Sequence, residues 1–160
     1  MAPIDNALKN LSALSGKLKG ETEELNKVIA DLDERIRKTS IGVSVWLGDL
    51  LDQDEHFEQI DDGNGAERRV RVQSGWQLGY AKVGEVWAIA ARKTRGEEVL
   101  DEHGVAEFVW DNHEPIPLGK APRHIRVEAA SLLEGLIESL SERAKHFIKN
   151  IEQAKKLAEK

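Results

Sequence analysis

Ile4, Leu8, Leu11, Ser15, Leu18, Thr22, Leu25, Ile29, Leu32 and Ile36 follow one another at alternating steps of four and three residues. That spacing keeps one stripe of a helix turned toward one partner, and it predicts a helix over about residues 4–37. Gly16 and Gly20 lie beside the polar members of the stripe, and each weakens a helix by about 1 kcal/mol relative to Ala. A kink, fraying or a break is therefore expected near residues 15–22, where Glu21, Glu23 and Glu24 also resemble the acidic first turn of a new helix.

The other end repeats the pattern. Leu133, Ile137, Leu140, Ala144, Phe147, Ile151, Ala154 and Ala158 keep the same steps, with Leu132, Leu136 and Ile148 widening the stripe. Pro122 suits a first helical turn, which places this helix at about residues 122–157. The run from Glu114 to Gly119 holds Pro115 and Pro117 and reads as an extended or turning linker.

Each helix would be roughly 50 Å long, whereas a head of about 80 residues has a radius of gyration near ~12 Å. The apolar stripes must then bury against each other, against a second chain, or both. The predicted fold is α+β. Residues 1–40 and 122–160 form an antiparallel coiled-coil-like stalk, and residues 41–121 form a small antiparallel β head inserted between them. Leu14, Val28, Leu132, Leu136 and Ile148 exceed what one two-helix seam covers, so a four-helix dimer is expected. Its oligomerisation residues would be Leu11, Leu18, Leu25, Ile29, Leu32, Leu133, Ile137, Leu140, Phe147 and Ile151.

Strand signals fill the head. Val43, Val45 and Trp46 suggest one strand, Val70 to Val72 begins another, and Val105 to Trp110 supplies the last. Gly84-Glu85 fits a two-residue type II′ turn between Val83 and Val86. That turn sets Lys82 opposite Trp87, Tyr80 opposite Ile89, Leu78 opposite Ala91 and Trp76 opposite Lys93. One face then carries Trp76, Leu78, Tyr80, Trp87 and Ile89, and the other carries Gly79, Ala81, Val83, Val86, Ala88 and Ala90. Trp76, Tyr80, Trp87 and Trp110 read first as core and otherwise as an aromatic platform for a partner.

Charge narrows the function classes. The net charge is −6, and residues 41–123 hold sixteen acidic against nine basic side chains. Such a head repels phosphate backbones, which argues against nucleic acid as a partner. No apolar run approaches the ~20 residues needed to span a bilayer. The absence of cysteine excludes disulfides and thiolate chemistry and suits a reducing compartment. The first ten residues lack the pattern of a secretory signal, so the cytoplasm is the expected location.

Motifs for chemistry are weak. Asp61-Asp62-Gly63-Asn64-Gly65 shares a fragment of a calcium loop, but the alternating ligands and the closing Glu are missing. The acidic run from Asp49 to Asp62 therefore reads as a solvated loop. His56, His103, His113, His124 and His146 show no metalloprotease spacing, and neither a nucleophile elbow nor a phosphate-binding loop is present. No cofactor or metal is expected. Arg68, Arg69 and Arg71 with Arg92, Lys93 and Arg95 could converge on one rim as an anion site, or else pair with the acidic run.

These readings favour a non-catalytic adaptor that forms a homodimer through its helices and binds another protein with its head. The alternative is a protein that holds a small anionic or nucleotide-like ligand. A His/carboxylate hydrolase ranks third and requires a buried cleft holding such groups.

Overall fold

Pro3 at the first helical position and Asp5 in the first turn start helix α1 (Pro3–Lys38), and Arg35, Arg37 and Lys38 complement the dipole at its end. The computed structural model describes every residue except Met1, Asp62, Asn64, Ala66, Asp101 and Glu102. Helix α1 is continuous through Gly16 and Gly20, contrary to the expected break. Both glycines face open space, and the Thr22 hydroxyl donates to the Leu18 carbonyl at 2.7 Å within the helix. Two isolated glycine penalties do not outweigh propagation through a helix of 36 residues.

The chain then meanders through β1 (Val45–Asp61), β2 (Glu67–Val83), β3 (Val86–Leu100) and β4 (Ala106–Asn112), each antiparallel to the one before. A short β5 (Ile116–Pro117) pairs with β3 at Ala90 and Ala91. A 3₁₀ turn at Leu118–Lys120 leads to α2 (Arg123–Ala129), and a second at Ala130–Leu132 leads to α3 (Leu133–Ala158). The fold is thus α+β, with an N-terminal helix, an antiparallel sheet and a C-terminal helical segment. That last segment is interrupted by its 3₁₀ turn instead of forming the single α-helix expected from residue 122.

The expected hairpin register is observed. Val83 faces Val86, Lys82 faces Trp87, Tyr80 faces Ile89, Leu78 faces Ala91, and Trp76 faces Lys93. Gly84 adopts φ 61°, which a two-residue type II′ turn requires at its first central position. Leu78, Tyr80 and Ile89 are nearly fully buried under Ile29 and Ile36 of α1, Leu118, Ile125 of α2, and Leu133, Leu136 and Leu140 of α3. The bulky face of the sheet is the core face, and one hydrophobic core joins both terminal segments to the strands.

Strand β1 runs through the acidic stretch, contrary to the expected solvated loop; Asp62 and Asn64 of the calcium-like fragment lie outside the described residues. Neither its apolar residues nor its charges alternate, and its carboxylates find partners on both faces of the sheet. Glu55 accepts from Gln73 and pairs with Arg71, and Glu58 pairs with Arg95. The pairing of β1 with β2 shifts twice, and the second shift is a bulge at Asp52 (φ 49°) opposite Gly75.

Trp46 of β1 lies across Gly79 on the outer face, where a Cβ would sit 2.4 Å from the indole. Gly79→Ala must displace that ring, and we expect it to lower stability by about 1–3 kcal/mol in denaturant titrations. An unchanged midpoint would mean that the indole does not rest there.

Candidate functional site

Five of the ten oligomerisation residues read from the sequence serve the chain's own core. Leu25, Ile29 and Leu32 of α1 and Leu133 and Leu140 of α3 pack toward the sheet. The other five stay exposed: Leu11, Leu18, Ile137, Phe147 and Ile151. All of residues 3–21 and 145–160 are exposed, so the antiparallel seam expected between the two helices is not seen within one chain. The physical reason is that the sheet competes for the stripes. It takes the second half of α1 and the first half of α3, and the remaining halves are left without cover.

The aromatic residues divide. Tyr80 is buried and stacks on Trp87 at 5.7 Å, and Trp76 and Trp87 pack against the core. Burial pushes the Tyr80 hydroxyl up from its ordinary value. These three build the core face, whereas Trp110 lies half-open on the outer face beside Phe108, over Gly96. Trp46, which the sequence reading treated only as a strand signal, forms a second outer-face feature with Arg92 stacked 4.0 Å above its ring.

The six cations do not gather on one rim. The regular β2–β3 register places Arg69, Arg71 and Arg92 on the outer face and Arg68, Lys93 and Arg95 on the core-face side. Most are engaged locally. Arg69 stacks on Phe57, Arg71 on Phe108 beside Glu55 and Glu98, and Arg68 donates to the Glu98 carbonyl. Arg92 donates to Gln77, and burial pulls its guanidinium below its ordinary value.

Beyond the helices, the core-face side ends in a polar ladder. His56 lies 2.8 Å from Asp54 and 2.9 Å from Glu58, and Glu58 accepts from Arg95 at 2.8 Å. The hydrogen bonds to Glu58 and then Asp54 hold the His56 imidazole above its ordinary 6.5, and the bond to His56 pulls the Glu58 carboxyl down. The fold thus favours protonated His56. Its contribution is in place below pH 6.5 and is lost as pH rises through the higher folded value. NMR titration should find His56 titrating above 6.5, and Glu58→Gln should bring it back toward that value. A midpoint unmoved by Glu58→Gln would show that the ladder does not form in solution.

Between this ladder and α2 lies a cleft of about 430 Å³, whose lining includes Asp52, Asp54, Ser74, Trp76, Lys93 and His113. The Asp52 bulge forms one wall. Its N–H donates to Glu128 of α2 at 2.8 Å, and its carboxylate meets His124 at 3.2 Å. His113 is held by its backbone N–H, which donates to the Lys93 carbonyl at 2.9 Å. The titratable side chains of the lining are exposed or half-exposed. Among the described residues, no group of three or more His, Asp and Glu side chains is arranged to hold a metal ion, and no helix is long and apolar enough to cross a membrane. Comparison of the chain with protein-family models, with curated proteins and with solved structures finds no match.

Proposed function

We propose that the protein is a non-catalytic assembly protein that pairs with a second copy of itself through its free helical halves and presents its β head to another protein. The observation that carries this reading is the first half of α1. Ile4, Leu8, Leu11 and Leu18 keep heptad spacing there and are 46% to 67% exposed. Isolated helices of this length are marginal in water, and a contiguous apolar ridge marks a contact surface.

A second copy offers a matching seat. A groove of about 860 Å³ runs between α3 and the start of β1. Ser131, Gly135 and Ser139 line it with small residues, and Asp49, Glu138 and Glu142 outnumber the single Arg143, which leaves it net acidic with His146 neutral. The α1 ridge is flanked by Lys9, Lys17 and Lys19 against a single Asp5. Opposite charges favour that docking, and a two-fold axis lets each chain give its helix and receive the other's. The exposed end of α3, with Phe147, Ile148 and Ile151, extends the same contact. A cysteine-free chain suits the cytoplasm, the compartment we assign to it.

Filling the groove tests the docking. A Cβ at position 135 meets nothing within 4 Å in the single chain, so Gly135→Leu should leave the head folded, which the far-ultraviolet spectrum checks, while blocking the seat. Sedimentation equilibrium should show self-association weakened at least about tenfold, the cost of misplacing one buried side chain. Association unaffected by Gly135→Leu rejects this groove as the seat.

A further inference from the structure

The cleft between the polar ladder and α2 has a polarity that neither the assembly reading nor a simple anion site uses. Its lining runs in strand order. Asp52 and Asp54 stand on β1, Ser74 and Trp76 on β2, Lys93 and Arg95 on β3, and His113 just beyond β4. Register partners place Asp54, Ser74 and Arg95 in one row across the sheet, with Trp76, Lys93 and His113 in the next. At about 4.8 Å per strand, the acidic and basic walls are about 10 Å apart across a floor of Ser74 and Trp76.

The bonding of these groups shows what is left for a ligand. Arg95 is committed to Glu58 and Glu97. Asp52 and Asp54 each use one carboxylate oxygen, toward His124 and His56 respectively. Among the described residues, the Lys93 ammonium, the Ser74 hydroxyl and the His113 imidazole have no hydrogen-bond or ion-pair partner, although Lys93 lies 5.5 Å from the Trp76 ring centre. Asp111, the register partner of Arg95, lies outside the lining. Donors are therefore open on the β3–β4 side and carboxylate oxygens on the β1 side.

A lone anion in this cleft meets Lys93 but is repelled by two aspartates. A lone cation meets the reverse. We propose that the cleft binds a small zwitterion of the amino-acid class, with its ammonium toward Asp52 and Asp54 and its carboxylate toward Lys93, Ser74 and His113. The apolar part of the ligand rests on the Trp76 ring. The volume falls within the range of small-molecule sites, and the few polar groups fix the orientation of the ligand.

The test uses the full chain and two-dimensional NMR, following the backbone amides of Ser74, Lys93 and His113 during titration. The probes are L-leucine and 4-aminobutyrate, which differ in charge separation. N-acetyl-L-leucine and L-leucinamide serve as controls, each keeping only one charge. At least one zwitterion should give saturable shifts, and both capped compounds should bind at least about tenfold more weakly, the loss typical of one charged hydrogen bond. Lys93→Ala and Asp54→Asn, both at exposed positions, should each weaken binding by a similar factor while leaving the spectrum of the core unchanged. The proposal is overturned if no probe gives a saturable shift up to about 10 mM, the weak limit for a specific site. It is equally overturned if N-acetyl-L-leucine binds as well as leucine, which would make the cleft an anion site, or if neither substitution matters.

Discussion

Replacing Leu11 and Leu18 together with glutamate should separate the assembled protein into single chains and leave the β head folded. Both side chains are exposed in the single chain, so nothing in the core loses a contact. In the assembly each would be buried, and burial of one leucine contributes about 1.5–3 kcal/mol. A symmetric pair loses four such side chains, and the new carboxylates would lie beside Asp49, Glu138 and Glu142 of the groove. Self-association should therefore weaken by at least about a thousandfold, as read by sedimentation velocity. The far-ultraviolet spectrum should keep its sheet component. Should the double variant associate as tightly as the parent, the α1 ridge is not the contact.

The second large effect lies in the core. Leu136 is fully buried where the first half of α3 meets the sheet. Leu136→Ala removes its packing and leaves a cavity, which costs about 2–5 kcal/mol. For a chain of this size that lowers the thermal midpoint by about 5–15 °C. Leu157, which is 73% exposed on the same helix, serves as the control. Leu157→Ala should change the midpoint by no more than about 1–2 °C. Equal effects at the two positions would mean that α3 is not anchored by its first half.

The β2–β3 hairpin was legible from Val83–Val86 to Trp76–Lys93, because a two-residue turn with Gly84 admits one register, whereas its extension to Val72–Glu97 was not, since Val70 to Val72 reads as the start of another strand. The terminal helices were legible from the spacing of their stripes. What spacing could not tell was which partner each part of a stripe would meet. Ile29 and Leu25 look alike in sequence to Leu11 and Leu18, yet the sheet takes the first two and leaves the others open.

Strand β1 was legible only at its start, around Val45 and Trp46, and its acidic remainder was not, for a different reason. Glu55 and Glu58 lie three residues apart on opposite faces, and a charged run without a period of two resembles a solvated loop until its partners Arg71 and Arg95 are known. The cleft was legible only in pieces. Lys93 stands out only as one of six cations and His113 as one of five histidines, and nothing linear joins them to Asp52. That link depends on a bulge at Asp52, where the chain adopts a left-handed conformation without a glycine.

Light scattering coupled to size exclusion decides whether the chain pairs with a copy of itself, because it reads molar mass without any label or variant. Paired chains give twice the 17.9 kDa chain mass at micromolar concentration, falling toward the single-chain value only on strong dilution. A mass of one chain that persists to high micromolar concentration would contradict that pairing.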